Sequence, residues 1–145
     1  MITTSDPKPV DPQEEALIAK ILKSANTVAV VGVSEKEHRD SYKVAKYLKD
    51  HGYKLIPVNP KLKEVLGEPC YPDLKSVPDH IDIVDIFRSV DAIPGIVDEA
   101  ISVGADSVWM QLGLTHEESA EKARKAGLSV IMNRCTKIEH SRLGD

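Results

Sequence analysis

Short polar segments that could bind an anionic ligand follow each predicted strand of this 145-residue chain. The first begins at Gly32, where the absence of a side chain lets a ligand approach the backbone closely. Two arginines, Arg39 in that loop and Arg88 after a later strand, carry guanidinium groups suited to bidentate phosphate binding. The five segments are Gly32-Val33-Ser34, Asn59-Pro60, Phe87-Arg88-Ser89, Gln111-Leu112-Gly113 and Asn133-Arg134-Cys135. Their residue types predict a ligand that carries phosphate groups.

The loop after Gly32 departs from the usual dinucleotide-binding fingerprint. The pattern G-x-G-x-x-G is met only at its first position, because Ser34 and Glu37 stand where the other two glycines belong. Asn59 ends the second predicted strand, where an NAD enzyme has Asp or Glu to bind the ribose hydroxyls. The sequence therefore favours a phosphate-rich adenine nucleotide other than NAD.

Structural roles compete with ligand binding at most of these positions. Gly32 can serve as a turn residue alone, and Arg39 can be a solvated charge. Ser34 and Ser41 can close turns, and Asn59 with the following proline can shape a loop. Arg88 favours function more strongly, because a strand end flanked by Phe87 is a costly place for an unpartnered cation. These alternatives stay open at the level of sequence.

Catalytic and metal-binding patterns do not emerge from the sequence. The five histidines form no H-E-x-x-H motif and no recognisable nucleophile–base pair. Cys135 lies five residues before His140, but such pairs are made by the fold and not by sequence spacing. Cys70 and Cys135 are far apart and form no C-x-x-C motif, so zinc binding is not expected. We therefore expect a binding protein without catalysis of its own and without a metal.

Composition and charge argue against nucleic acid and membrane as partners. The net charge is −4, so a general nucleic-acid binder is not expected. Charged residues make up 29% of the chain and no apolar run reaches the roughly 20 residues of a membrane span. Residues 1–12 lack the apolar core of a signal peptide, which suggests a flexible lead-in and a cytoplasmic location. Residues 13–145 then form one domain, with a protein partner or self-association left open.

The elements that must position these residues alternate regularly along the chain. Apolar segments predict strands at 28–31, 54–58, 81–87, 107–110 and 128–132, with a very short edge strand within 67–72. Helices are predicted after Asp11, from near Ser41, from Ile93, after a Thr115 cap and at 136–142. Such alternation predicts an α/β fold, namely one doubly wound, Rossmann-like parallel sheet of five or six strands with helices on both faces. Ligands of such sheets bind outside the carboxyl ends of the strands.

Taken together, these segments resemble the small stand-alone CoA-binding proteins, whose fold is similar to the N-terminal CoA-binding domain of the succinyl-CoA synthetase alpha subunit. The resemblance extends from about Leu17 to Leu143. The matching stretches are 31–34 with 39–41, 52–53 with 57–60, 82–87 with Arg88, 108–113, and 133–135 with 138–140. Any one of these motifs is unspecific, but four in order at strand ends are characteristic.

The resemblance implies coenzyme A or an acyl-CoA as the ligand. It also implies binding without a reaction, because the chain lacks the ligase domain of a synthetase. Two alternatives are an NAD(P)- or acyl-CoA-dependent enzyme subunit completed by a partner, and an interaction module without a ligand. The residues assigned to CoA are Gly32, Val33, Ser34, Arg39 and Ser41 around the phosphates, Asn59 and Pro60 at the adenosine, Lys61 or Lys63 at the ribose phosphate, Phe87 and Arg88 at the neck of the site, and Gln111 and Gly113 at the pantetheine arm.

Overall fold

Strands alternate with helices throughout the computed structural model, which describes residues 11–144. The helices are α1 (Pro12–Ser24), α2 (Asp40–Asp50), α3 (Ile93–Ser102), α4 (Glu117–Lys125) and α5 (Thr136–Arg142). The strands are β1 (Thr27–Val31), β2 (Lys54–Val58), β3 (Glu64–Val65), β4 (Glu68–Pro69), β5 (Ile83–Ile86), β6 (Ser107–Met110) and β7 (Ser129–Ile131). None of these helices has both the length and the apolar character needed to cross a bilayer.

The predicted N-terminal lead-in falls mostly on residues 1–10, which lie outside the described part of the chain. Its last two residues begin α1. The Asp11 carboxylate accepts a hydrogen bond from the Gln13 amide at 2.9 Å, and Pro12 occupies the first helical position. Proline suits that position because its missing N–H would have no partner inside the helix.

Five strands form one parallel sheet in the order β2-β1-β5-β6-β7. The chain passes from β1 outward to β2 and then returns to β5 on the other side of β1. The strand order therefore reverses between β1 and β5, and a crevice opens at such a point at the carboxyl edge of the sheet. The predicted Rossmann-like α/β fold is confirmed.

Helices cover both faces of the sheet. Helices α1, α2 and α5 pack on one face with Val30, Ile83 and Trp109 of the sheet, and α3 and α4 pack on the other with Val84, Ile86 and Met110. Each residue of β5 and β6 is buried, as expected for strands covered on both sides. Trp109 of β6 is fully buried.

The segment between β2 and β5 differs in part from expectation. The very short strand predicted within 67–72 is present as β4, but it pairs with β3 in a separate antiparallel hairpin and not as an edge strand of the main sheet. Its two-residue turn has positive φ at Leu66 (55°) and Gly67 (78°), the turn geometry that matches strand twist. Tyr71 then pairs with Val58 through a single bridge at the sheet edge. A 3₁₀ turn, Leu74–Ser76, follows this bridge.

The predicted Thr115 cap of α4 is wrong. The N-cap is His116, whose ring Nδ1 accepts a hydrogen bond from the Ser119 amide at 3.1 Å. The chain before it is fastened by two backbone bonds of Leu114, one to Gln111 and one to Asn133. Since these bonds determine how the chain enters the helix, the cap lies one residue later than the sequence pattern indicates.

Candidate functional site

A cleft of about 1100 Å³ opens at the carboxyl edge of the sheet, beside the reversal of strand order between β1 and β5. Its volume is slightly above the roughly 300–1,000 Å³ typical of small-molecule sites. Lys63 aside, ten of the twelve residues that the sequence assigned to the ligand line it, and Pro60 and Gly113 do not. The ten are Gly32, Val33, Ser34, Arg39, Ser41, Asn59, Lys61, Phe87, Arg88 and Gln111. Lys63, the second candidate for the ribose phosphate, is also outside the lining.

The loop after β1 is closed by its own serines. The Ser34 amide donates to Ser41 Oγ at 2.9 Å, and the Lys36 amide donates to Ser34 Oγ at 3.0 Å. These bonds hold the loop against the first turn of α2. Arg39 is the N-cap residue of that helix, and its side chain makes no capping bond. A helix N-terminus and a guanidinium group not used for capping thus border the same cleft, an arrangement that favours anions.

Gly32 also makes room for Arg88. Its φ is +87°, and a Cβ built on it would lie 2.3 Å from the Phe87 carbonyl oxygen and 2.7 Å from Arg88 Cδ. The aliphatic part of Arg88 therefore lies directly over the Gly32 backbone. This contact positions the Arg88 side chain at the carboxyl ends of β1 and β5.

Asn59 joins two loops of the cleft. Its side-chain amide donates to the Val33 carbonyl at 2.9 Å, and its Oδ1 accepts from the Lys61 backbone amide at 2.9 Å. Asn59 thus has the structural role that the sequence left open, and it borders the cleft as well. The exposed Lys61 is positioned by the second of these bonds.

Positive charge predominates along the cleft although the chain as a whole is acidic. The lining contains six Lys or Arg residues and two acidic residues, Glu35 and Asp40. Within residues 11–144, none of these six cations forms an ion pair with an Asp or Glu. Carboxylates of this part of the chain therefore do not neutralise them, although Lys137 Nζ lies over the Tyr47 ring, 5.8 Å from its centroid. The six are Lys36, Arg39, Lys43, Lys61, Arg88 and Lys137.

A buried polar network supports the β6 end of the cleft. Asp85 is fully buried in β5, where it receives hydrogen bonds from Gln111 Nε2 and, at 2.8 Å, from Thr136 Oγ1. Burial raises the pKa of Asp85 to about 7, and the two hydrogen bonds only partly oppose that rise. Gln111 is 4% exposed and lines the cleft. The network links a core carboxyl group to the ligand-facing surface.

Cys135 and His140 border different cavities. Cys135 lines the cleft, whereas His140 lines a separate pocket of about 360 Å³ and its Nδ1 lies 2.8 Å from the Tyr47 hydroxyl. Burial raises the pKa of the Cys135 thiol. Both Cys70 and Cys135 are free thiols.

Several residues that line or support the cleft were not predicted from the sequence. Lys36, Lys43 and Lys137 line the cleft, and Asp85 and Thr136 support it from below. Lys43 and Lys137 lie near the first turns of helices that follow strand ends, a placement that could have identified them. Asp85 was harder to identify, because its only distinguishing feature is a carboxylate between the apolar residues Val84 and Ile86 of a buried strand.

At the opposite edge of the sheet, His80 lies between two carboxylates that the sequence did not group. Its Nε2 is 3.1 Å from Asp106 Oδ1 and 3.5 Å from Asp82 Oδ1. The other oxygen of Asp82 accepts hydrogen bonds from the amides of Asn26 and Thr27 at 2.7 and 3.0 Å. These contacts connect the starts of β1, β5 and β6.

Known proteins share both the sequence pattern and the fold. Protein YneT of Bacillus subtilis, described as uncharacterized, is 39% identical over 127 residues, which cover 88% of this chain and 94% of that protein. The solved structure of a hypothetical protein from Pyrococcus horikoshii OT3 superposes with a TM-score of 0.90 at 41% identity, covering 98% of this chain and 100% of that one.

A larger relative is the ADP-forming acetate–CoA ligase I of Archaeoglobus fulgidus. It is 28% identical over 118 residues, which cover 74% of this chain and only 17% of the ligase. The model of the CoA binding domain family matches residues 26–141, a range that contains the whole sheet and every residue of the cleft. The chain therefore belongs to the CoA binding domain family.

Proposed function

We propose that this protein binds coenzyme A or an acyl-CoA in the cleft and catalyses no reaction of its own. The observation that carries the proposal is the set of six cations, unpaired with carboxylates of the described chain, around the reversal point of the sheet. CoA carries a diphosphate and a ribose phosphate, so it needs several such donors. The family membership and the name of the ligase relative, which acts with CoA, support the same ligand.

The chemistry of the cleft supports binding in preference to catalysis. Cys135 is the cysteine of the described chain that borders the cleft. Because burial raises its pKa, the group stays a protonated thiol at neutral pH, and a thiol is a much weaker nucleophile than a thiolate. His140, the histidine nearest to it in sequence, lines the other pocket.

Thermal unfolding with added ligands tests the proposal. At a CoA concentration about 100 times Kd, binding contributes about 2.7 kcal/mol. For a domain of this size, that stabilisation raises Tm by about 8 °C. We expect this shift with CoA and no comparable shift with NADH. A shift with NADH alone would favour an enzyme subunit, and no shift with either ligand would favour an interaction module.

Replacing either arginine of the cleft should weaken binding. We expect Arg39→Ala and Arg88→Ala each to raise the Kd for CoA by about ten- to a hundredfold, since a hydrogen bond to a charged group contributes about 1.5–3 kcal/mol. Isothermal titration calorimetry measures the change. Arg124→Ala is the matched control, because Arg124 is exposed on α4 and outside the cleft lining, and its Kd should stay within about twofold of wild type. Equal losses in all three variants would mean that general charge, and not this site, governs binding.

A further inference from the structure

We infer that His80, Asp82 and Asp106 form a binding site for a divalent transition metal ion of the Zn²⁺ type, at the edge of the sheet opposite the cleft. His80 supplies Nε2, and each aspartate supplies one carboxylate oxygen. Three such ligands leave the fourth tetrahedral position to water, as in open zinc sites. The inference does not depend on CoA binding, because it concerns the amino ends of the strands.

The three ligand atoms have nearly the spacing that a tetrahedral ion requires. His80 Nε2 is 3.1 Å from Asp106 Oδ1 and 3.5 Å from Asp82 Oδ1. One ligand atom from each of the three residues lies within 4.8 Å of the other two. Ligands bound about 2.1 Å from a tetrahedral zinc ion are about 3.4 Å from one another. The two carboxylates therefore need at most a small approach, and the Asp106 side chain is 62% exposed and free to rotate toward the ion.

Hydrogen bonds to the start of β1 hold two of the ligands in place. Asp82 Oδ2 accepts from the amides of Asn26 and Thr27 at 2.7 and 3.0 Å, which turns Oδ1 toward His80. The Thr27 hydroxyl donates to the His80 carbonyl at 2.8 Å and accepts from the Asp82 amide at 3.0 Å. Outer contacts of this kind orient the ligands of metal sites. The site is therefore largely formed before an ion arrives.

The charge of the cluster favours a cation. Between residues 11 and 144, neither Asp82 nor Asp106 forms an ion pair with a Lys or Arg, and both face His80. When both carboxylates are ionised, even a protonated imidazole leaves one negative charge without compensation. A divalent ion compensates both, and any proton on Nε2 is released to solvent when the ion binds. The imidazole ligand favours zinc and similar metals over Mg²⁺ and Ca²⁺, which prefer oxygen ligands.

Calorimetric titration of ZnCl₂ into the full chain, after treatment with a chelator, tests the site. We expect wild type to bind one ion per chain. His80→Ala and Asp106→Asn should each weaken Zn²⁺ binding by more than about tenfold, because loss of an outer contact alone costs about 10–100-fold in metal affinity. Both side chains are more than half exposed, so both variants should fold, which circular dichroism verifies.

Two exposed residues outside the cluster provide matched controls. Asp98 is 55% exposed on α3, and His51 is the exposed C-cap residue of α2 and lines the pocket that also contains His140. Asp98→Asn and His51→Ala should keep the Kd for Zn²⁺ within about twofold of wild type. Loss of binding in His51→Ala but not in His80→Ala would place the ion in that other pocket and overturn the inference. No Zn²⁺ binding by wild type would overturn it as well and leave the cluster as an ion pair alone.

Thermal unfolding shows whether the imidazole is a ligand. Zn²⁺ at about 100 times Kd should raise the Tm of wild type by about 8 °C. MgCl₂ at the same concentration should give no comparable rise, and neither should ZnCl₂ added to His80→Ala. Equal rises with the two metals, or a full rise with Zn²⁺ in His80→Ala, would mean that His80 does not bind the ion and would contradict the proposed site.

Discussion

Gly32→Ala is expected to destabilise the protein by about 3–5 kcal/mol, a loss in the upper range for a single substitution. Two effects add at this position. Its φ of +87° is unfavourable for any residue with a side chain, and the new Cβ would lie 2.3 Å from the Phe87 carbonyl oxygen. Phe87 cannot easily withdraw, because its amide donates to the Val31 carbonyl at 2.8 Å and continues the β1–β5 ladder. Urea unfolding monitored by circular dichroism gives the loss.

Gly127→Ala is the matched control for this experiment. Its φ is +95°, but a Cβ there has no atom within 4 Å, so only the conformational cost of about 1–2 kcal/mol applies. The difference between the two variants therefore isolates the close approach of β1 and β5. Equal losses would show that the strands can separate enough to admit a methyl group. In that case Arg88 would not be held as closely to the loop as the structure indicates.

Asp85→Asn is expected to alter the pH dependence of stability. Because the pKa of Asp85 is raised in the folded state from 3.8 to about 7, the folded protein binds more protons than the unfolded chain between these values. This contribution is therefore fully present below pH 3.8 and is lost as the pH rises toward 7. The change corresponds to about 4 kcal/mol. The asparagine variant lacks this loss, so its stability relative to wild type should increase by a similar amount between pH 4 and pH 8.

Asp82→Asn provides a control of opposite sign. Partial burial opposes ionisation of Asp82, but the hydrogen bonds from Asn26 and Thr27 outweigh it and lower the pKa of the carboxyl group. Asp82 thus stabilises the fold above pH 3.8, and its asparagine variant should lose stability at neutral pH. Denaturant unfolding from pH 4 to pH 8 compares both variants with wild type. A pH-independent difference for Asp85→Asn would mean that Asp85 titrates as an ordinary carboxyl group.

Local sequence patterns predicted the exact bounds of three elements. The predicted strands at 54–58 and 107–110 and the helix at 136–142 match β2, β6 and α5 residue for residue. β5 is shorter than the predicted 81–87, because strand bounds depend on which neighbours continue the ladder. The α4 cap at His116 depends on how backbone bonds from Gln111 and Asn133 direct the preceding turn. Such bonds join segments distant in sequence, and no local pattern encodes them.

The sequence by itself determined the alternation of strands and helices and the polar segments that end the strands. In a parallel sheet these segments must meet at one edge, so the order of elements alone predicts a ligand site there. Only the tertiary structure decided that Gly32 faces Phe87 and Arg88, and that Asp85 meets Gln111 and Thr136, which are 26 and 51 residues away. The reason is physical: steric contacts and pKa values depend on which atoms surround a group, and those atoms come from strands whose neighbours are chosen by the packing of the whole sheet.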